Sequence, residues 1–457
     1  MLLAFSLAIE AAAFAVASTR IGLRHFNVLT SFFVLWTGIY LVIAWNPLML
    51  VPVAGAAALI MAVGMLAVLG GAVLATQWIT SHPATHQAVG LAESPRILRW
   101  TVGLIVASVG LAVGVLAFRN SIVAASGSTS FGQLTAEQVR YYQNYSAAIH
   151  AGVGSVLYGV APLVAAGGIV LGRHRRFGYL FTAYAIFMAA QNPGRTLVIN
   201  CAVASVLCWL YYKPVRTGTR AEVQHRWRRV ILVATALVCL VGYFQHEGDL
   251  LKKSTPEQII PGTKVPPTFF SVIIYLTGEP EALSAALAEN VNPTVGEHGK
   301  TVWIVPRLLS LVDSSIKAPD VVAQPVLIPY LYNVYSWSGD LWFDFGWPGV
   351  VIGGLFLGLA TILIDDYRAR RSRSALWTWW GAAWGSLLLL CFISFGFFGL
   401  NSLIYIVGGL LVFGRPRLTR QSSAATATLS LMPSGIPASS TEGRQLRMPK
   451  SPNAPNF

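Results

Sequence analysis

The sequence predicts an all-α polytopic membrane protein of about eleven transmembrane helices with one large, structured external loop. Three observations predict it. Hydrophobic residues make up 55% of the 457 and charged residues only 11%, against roughly a quarter charged in a soluble domain. Mean hydropathy is +0.60. The apolar residues also fall in runs close to the roughly 20 needed for one helical crossing of hydrocarbon, and the alternating pattern of a membrane barrel is absent.

Taken in order, apolar runs fall at residues 1–18, 27–45, 48–77, 99–117, 147–171, 178–191, 196–212 and 230–246, an N-terminal helical block over residues 1–246. The first run has no basic flank before it and carries Glu10, so it reads as a first transmembrane helix and not as a cleaved signal. Residues 247–346 form the external loop. Runs at 347–364, 375–394 and 399–413 make a second block over residues 347–414. Residues 415–457 are rich in Ser, Ala, Pro and Thr, a composition that cannot bury a core and that predicts a disordered cytoplasmic tail. Cys201, Cys208, Cys239 and Cys391 all lie inside apolar runs and read as buried small hydrophobes, with no disulfide or metal site indicated.

A net charge of +14 suggests nucleic acid until it is located. The basic residues cluster in short connections, namely Arg20 with Arg24 and His25, Arg96 with Arg99, then residues 173–176, 213–229, 368–373 and 415–420. Each connection follows every second crossing, so all can be cytoplasmic at once. That pattern places the N-terminus outside, the C-terminus inside, and residues 118–146, 191–195 and 247–346 on the outer face. Nucleic acid is not a partner on this reading; membrane lipid is.

The external segments carry the candidate chemistry. A loop of about 100 residues far exceeds an ordinary connection and is functional or disordered. This one reads as structured, with helices expected from Glu279 to Glu289 and over residues 301–310, the second of them lying in the membrane interface. Arg195 sits in the turn Gln191-Asn-Pro-Gly-Arg195, where a guanidinium suits phosphate oxygens; the plain alternative is a snorkelling helix-end arginine. Arg307 is either a second phosphate contact or the polar edge of an interfacial helix. His298 could accept a proton near neutral pH, although an exposed loop histidine often does nothing. Glu279 and Glu281 resemble a paired-carboxylate metal motif, but the start of a helix explains acids there better. The stretch 333–349 concentrates Tyr335, Trp337, Trp342, Phe343 and Trp347 beside Asp340 and Asp344. It reads either as a sugar-binding surface with a carboxylate base or as an interfacial aromatic belt whose acids cap the next helix. Arg140, Tyr141, Tyr142 and Tyr145 fit a saccharide contact or a second belt equally well. With no Walker sequence, selectivity-filter repeat or haem-type histidine pair, ATP-driven transport, channel and redox functions fall.

The ordered set Pro193-Gly-Arg195, Tyr275-Leu-Thr-Gly-Glu279, Gly299-Lys-Thr-Val-Trp303, Asn333-Val-Tyr335 and Asp344-Phe-Gly346, followed by Gly349, Gly354 and Gly358, resembles the Wzy-type O-antigen or oligosaccharide repeat unit polymerases of bacterial inner membranes. The resemblance covers residues 178–364. It implies a GT-C-like architecture in the cytoplasmic membrane and undecaprenyl-diphosphate-linked oligosaccharides as substrates. The growing glycan is transferred to the sugar of a new repeat, and a chain-length regulator protein is the expected partner. It also implies Arg195, Asp344 and His298 in catalysis and Arg307, Asn333, Tyr335, Asp340 and Trp342 in substrate binding, with no cofactor, nucleotide or metal. A lipid-linked oligosaccharide flippase, an O-antigen ligase-like transferase and a non-catalytic export component are the competing readings.

Overall fold

The computed structural model describes residues 28–45, 53–81, 96–135, 138–139, 141–142, 153–191, 195–212, 242–243, 246, 265, 267–290, 301, 309, 313, 315, 326–328, 331–332, 334–371, 374–391 and 400–414. All of them belong to one compact unit, Met1–Pro416. The architecture is a helical bundle: α1 (Val28–Trp45), α2 (Gly55–Ser81), α3 (Ile97–Ser126), α4 (Val153–Tyr158), α5 (Ala161–Gly172), α6 (Gly178–Ala189), α7 (Arg195–Tyr211), α8 (Pro267–Ala288), α9 (Ser336–Arg370), α10 (Ala375–Leu389) and α11 (Leu400–Phe413). Among the described residues one antiparallel pair, β1 (Val326–Leu327) and β2 (Leu331–Tyr332), precedes α9.

The chain is α-helical and membrane-embedded. Four helices, α1, α2, α3 and α9, are long and apolar enough to cross a bilayer, and shorter apolar helices pack among them. The strongest sign is on α3, where Leu98, Val102, Ile105, Val106, Val109, Val113 and Leu116 are all exposed, Leu98 by 79%. An aliphatic face of that length is stable against lipid and not against water. Nine of the eleven apolar runs correspond to described helices. Run 1–18 lies outside the described residues, as does run 230–246 apart from 242–243 and 246. Run 147–171 differs from a single crossing, because turn residues 159–160 part α4 from α5 just before Pro162; proline cannot donate the next ladder hydrogen bond.

Packing follows from small residues. In lipid there is no hydrophobic drive between helices, so association depends on close backbone approach. The tightest seam joins α2 to α9 through Gly354-Leu-Phe-Leu-Gly358. A Cβ added at Gly354 would stand 2.8 Å from Gly64 O, and one at Gly358 would collide with Val68 O. Several buried polar groups find partners within the bundle, as membrane burial favours: Thr361 Oγ1 donates to Leu357 O at 2.6 Å, Trp384 Nε1 to Thr361 Oγ1 at 2.9 Å, and Trp379 Nε1 to Tyr405 O at 2.8 Å.

The two ends of the bundle differ in charge. Arg173 donates to Trp209 O at 2.7 Å, His174 lies 2.6 Å from the Tyr212 hydroxyl, and the Arg368 guanidinium lies 3.8 Å above the Tyr211 ring. These contacts gather basic residues around the C-termini of α5, α7 and α9. At the opposite end lie the C-terminus of α10, the start of α9 and the start of α2, joined by Trp337 N donating to Cys391 O at 3.0 Å and by a hydrogen bond from Ala54 N to Ser284 Oγ at 2.8 Å. The carboxylates of α8 and of early α9 are found there.

Candidate functional site

The site is built on the first ten residues of α9. Gly346 has φ +63° and ψ −149°, a conformation that side chains resist. It divides α9 into a short helix, residues 336–345, and a long apolar one that begins beside Pro348. The expectation of a helix opening after Pro348 is therefore incomplete. Asp340 and Asp344 do not cap that helix; they ride one turn apart on the preceding short one, and spacing of i and i+4 puts them on one face.

The aromatic residues divide between two roles. Trp342 meets Trp347 edge to face at 4.7 Å, and Trp347 and Phe345 are exposed, as an interfacial belt would be. Trp337 instead is core. Its ring lies over Gly64, where a Cβ would come within 2.8 Å of the ring edge, and it stacks toward Phe32 at 6.5 Å. Tyr335 is fully buried against Ala282, Ala286 and Phe343. Burial first, and then the Asp340 and Glu289 carboxylates, push its phenol above its ordinary pKa. Tyr335 therefore remains a neutral hydroxyl.

Asp344 is held from a distance of 43 residues. Its Oδ2 accepts from Thr301 N and from Thr301 Oγ1, both at 2.6 Å. Thr301 is itself buried, at 1% exposure. Among the described residues Asp344 Oδ1 has no hydrogen-bond partner. The carboxylate is thus gripped through one oxygen by neutral donors, while the other is buried and has no hydrogen-bond partner among the described residues. This is the geometry of a positioned proton acceptor.

Helix α8 corrects the reading of Glu279 and Glu281 as helix-start acids. It begins at Pro267, and Pro280 lies inside it, so both glutamates sit well within the helix. They are buried, at 1% and 4% exposure. Burial pushes the Glu281 carboxyl up to about 8, and among the described residues its Oε2 has no hydrogen-bond partner. Among the described residues no group of three or more His, Cys, Asp or Glu side chains is placed to hold a metal ion.

Arg195 is the first residue of α7; its side chain lies outside the description, and His298, Arg307 and Asn333 lie outside the described residues. Arg140 and Tyr145 do so too, while Tyr141 and Tyr142 meet edge to face at 5.5 Å. The structure brings Tyr335, Asp340, Trp342 and Asp344 onto one short segment and adds two residues that sequence reasoning missed. Thr301 carried no signal beyond its place in Gly299-Lys-Thr-Val-Trp303. Arg119 did, as a charge at the end of an apolar run: its guanidinium donates to the turn before Arg195, at Gln191 O (2.8 Å) and Gln191 Oε1 (3.1 Å).

No family model matches the chain, and no curated protein or solved structure matches it either.

Proposed function

We propose that the chain is a membrane glycosyltransferase that polymerises undecaprenyl-diphosphate-linked oligosaccharide repeats into a surface polysaccharide. It takes the growing glycan from one lipid carrier and passes it to the sugar of a new repeat. The single observation that carries this reading is the Asp344 carboxylate, locked through one oxygen by Thr301 and buried without a described partner at the other, at the end of a lipid-facing helical bundle. On this reading Asp344 takes the proton from the acceptor hydroxyl as that oxygen attacks the anomeric carbon. The bond from that carbon to the diphosphate oxygen breaks, and the electron pair leaves with the diphosphate. Such a leaving group needs cations more than it needs an acid. Arg195 fills that role, Arg307 is the second candidate cation, and His298 is the second candidate base. Two lipid-tethered substrates held in one cleft supply much of the rate through orientation.

The reading also proposes eleven crossings in the bacterial inner membrane, with the α8 end facing outward, and a chain-length regulator as partner. The test is incubation of purified protein with lipid-linked repeats alone, resolved on a gel. A ladder supports polymerisation; movement of single repeats across vesicles without a ladder makes it a flippase. Arg195→Ala is expected to abolish the ladder while protein remains inserted and abundant, and a ladder of normal length removes Arg195 from the diphosphate.

A further inference from the structure

We infer that the cavity between α9, α10 and α11 binds one acyl chain of an anionic membrane phospholipid, with Arg371 taking the phosphate at the basic end of the bundle. The site stands apart from the carboxylate end and from the polymerase reading. It begins with spacing. Trp377, Trp380, Trp384 and Leu387 recur at intervals of three and four residues and so share one face of α10. With Ile364 of α9 and Ile406 of α11 they line a cavity of about 320 Å³. That volume lies at the small end of ligand pockets, roughly 300–1,000 Å³. The lining is almost wholly apolar and includes no charged side chain. A sugar or nucleotide held there would leave its polar groups unpaired, whereas a hydrocarbon chain would not.

Length and exposure point to lipid. The cavity follows α10 from Trp377 to Leu387, about 15 Å at roughly 1.5 Å per residue. A hydrocarbon core of about 30 Å gives each leaflet a depth of about 15 Å. One acyl chain entering from the basic end therefore fills the cavity, and a longer polyprenyl chain overruns it. The rim faces outward: Ile406 is 53% exposed, and Phe356, which meets Trp384 edge to face at 5.9 Å, is exposed as well.

Charge sets the head group. Tyr367 and Trp377 stack at 5.3 Å with a 16° interplanar angle, and the Arg371 guanidinium lies 5.1 Å from the Trp377 ring centre and 5.6 Å from that of Tyr367. Trp377 thus belongs both to the cavity and to the seat of the cation. The acids of the preceding turns, Asp365 and Asp366, are paired with Arg368 and Arg370. Among the described residues Arg371 has no carboxylate partner. Its planar donors suit phosphate oxygens. A permanent positive charge at the mouth of a hydrocarbon slot favours an anionic lipid over a zwitterionic one.

The experiment is native mass spectrometry of the purified, full-length protein offered equal amounts of phosphatidylglycerol and phosphatidylcholine with the same acyl chains. Wild type is expected to retain one phosphatidylglycerol about fivefold more often, the preference that one arginine near a membrane surface gives. Arg371→Ala should abolish that preference. Arg175→Ala removes an exposed arginine from the same end that does not line the cavity, and should keep it. Ile406→Trp crowds the cavity from an exposed position and should cut retention of both lipids, with the unfolding temperature near wild type. Equal retention of the two lipids by wild type overturns the inference. So does a preference that survives Arg371→Ala, or one that Arg175→Ala also removes, since the charge would then act from elsewhere or over the whole surface. Undiminished retention in Ile406→Trp overturns it as well, because the chain would then lie outside the cavity. In a parallel arm, displacement of phosphatidylglycerol by undecaprenyl phosphate would make this a carrier-lipid site, and a dimer that excludes lipid would make it an interface between two copies. Either outcome overturns the acyl-chain assignment.

Discussion

The two ends of the bundle handle charge in opposite ways. At the basic end each described carboxylate is spoken for. Arg368 binds Asp365 through Nε at 2.8 Å and NH2 at 2.6 Å, Arg370 Nε donates to Asp366 Oδ1 at 2.9 Å, and Arg371 lies over Tyr367 and Trp377. At the other end Asp344 is held by the neutral donors of Thr301, and Glu281 Oε2 is buried with no hydrogen-bond partner among the described residues. A charge locked by its counter-charge does structural work, because moving it strands a partner. A carboxylate held by neutral groups, or by none, can change protonation without breaking an ion pair. We therefore place the proposed chemistry at the carboxylate end and expect the basic end to serve stability.

Asp344→Asn tests the first half of that contrast and carries the largest expected effect. The amide keeps the shape and can accept from Thr301, but it cannot take a proton. Turnover of lipid-linked repeats should fall by about 10²- to 10⁴-fold, the usual contribution of a general base, with the unfolding temperature near wild type. Wild-type turnover would leave Asp344 a purely structural anchor and erase the difference between the ends.

Arg368→Ala tests the second half and comes next in size. Arg368 is 7% exposed, stacks 3.8 Å above Tyr211, and packs so tightly on α10 that a Cβ at Gly381 would stand 2.5 Å from its Cδ. Removing it takes from half-buried Asp365 the arginine it is paired with, at a cost of about 3–5 kcal/mol. Unfolding in detergent should show that loss while turnover per folded molecule holds. Adding Asp365→Ala should recover part of it, since the uncompensated charge is then gone. A drop in turnover with no loss of stability would mean that the basic end takes part in the chemistry.

Much of this division was legible in the sequence and some of it was not, for physical reasons. The helices were legible because lipid imposes runs of a set length, and the basic connections because alternation along the chain follows from crossing and recrossing. The break at 159–160 was missed, because residues 147–171 are apolar throughout and Pro162 is tolerated in the first turn of a helix. The position of Glu279 and Glu281 was concealed because Pro280 looks like a helix start, while the residues before it, Thr268-Phe-Phe-Ser-Val-Ile-Ile-Tyr275, are β-branched and aromatic and favour strand over helix. The Thr301 to Asp344 bond and the Arg119 to Gln191 grip join residues 43 and 72 positions apart. Periodicity reports faces within one helix and is silent on which distant residue a face will meet.

The smallest expected effect separates the ends by pH. Burial has pushed Glu281 from 4.5 up to about 8, so between those values the folded protein holds a proton that the unfolded chain has released. Stability follows the difference in bound protons. With fewer protons on the unfolded chain, stability falls as pH rises; the contribution is fully present below about 4.5 and is lost as pH passes through about 8. Glu281→Gln mimics the protonated acid at every pH. It should match wild type at pH 5, exceed it in unfolding temperature at pH 8 to 9, and flatten the slope between. If the slope persists in Glu281→Gln, the charge penalty at this end lies on another group and Glu281 is not its source.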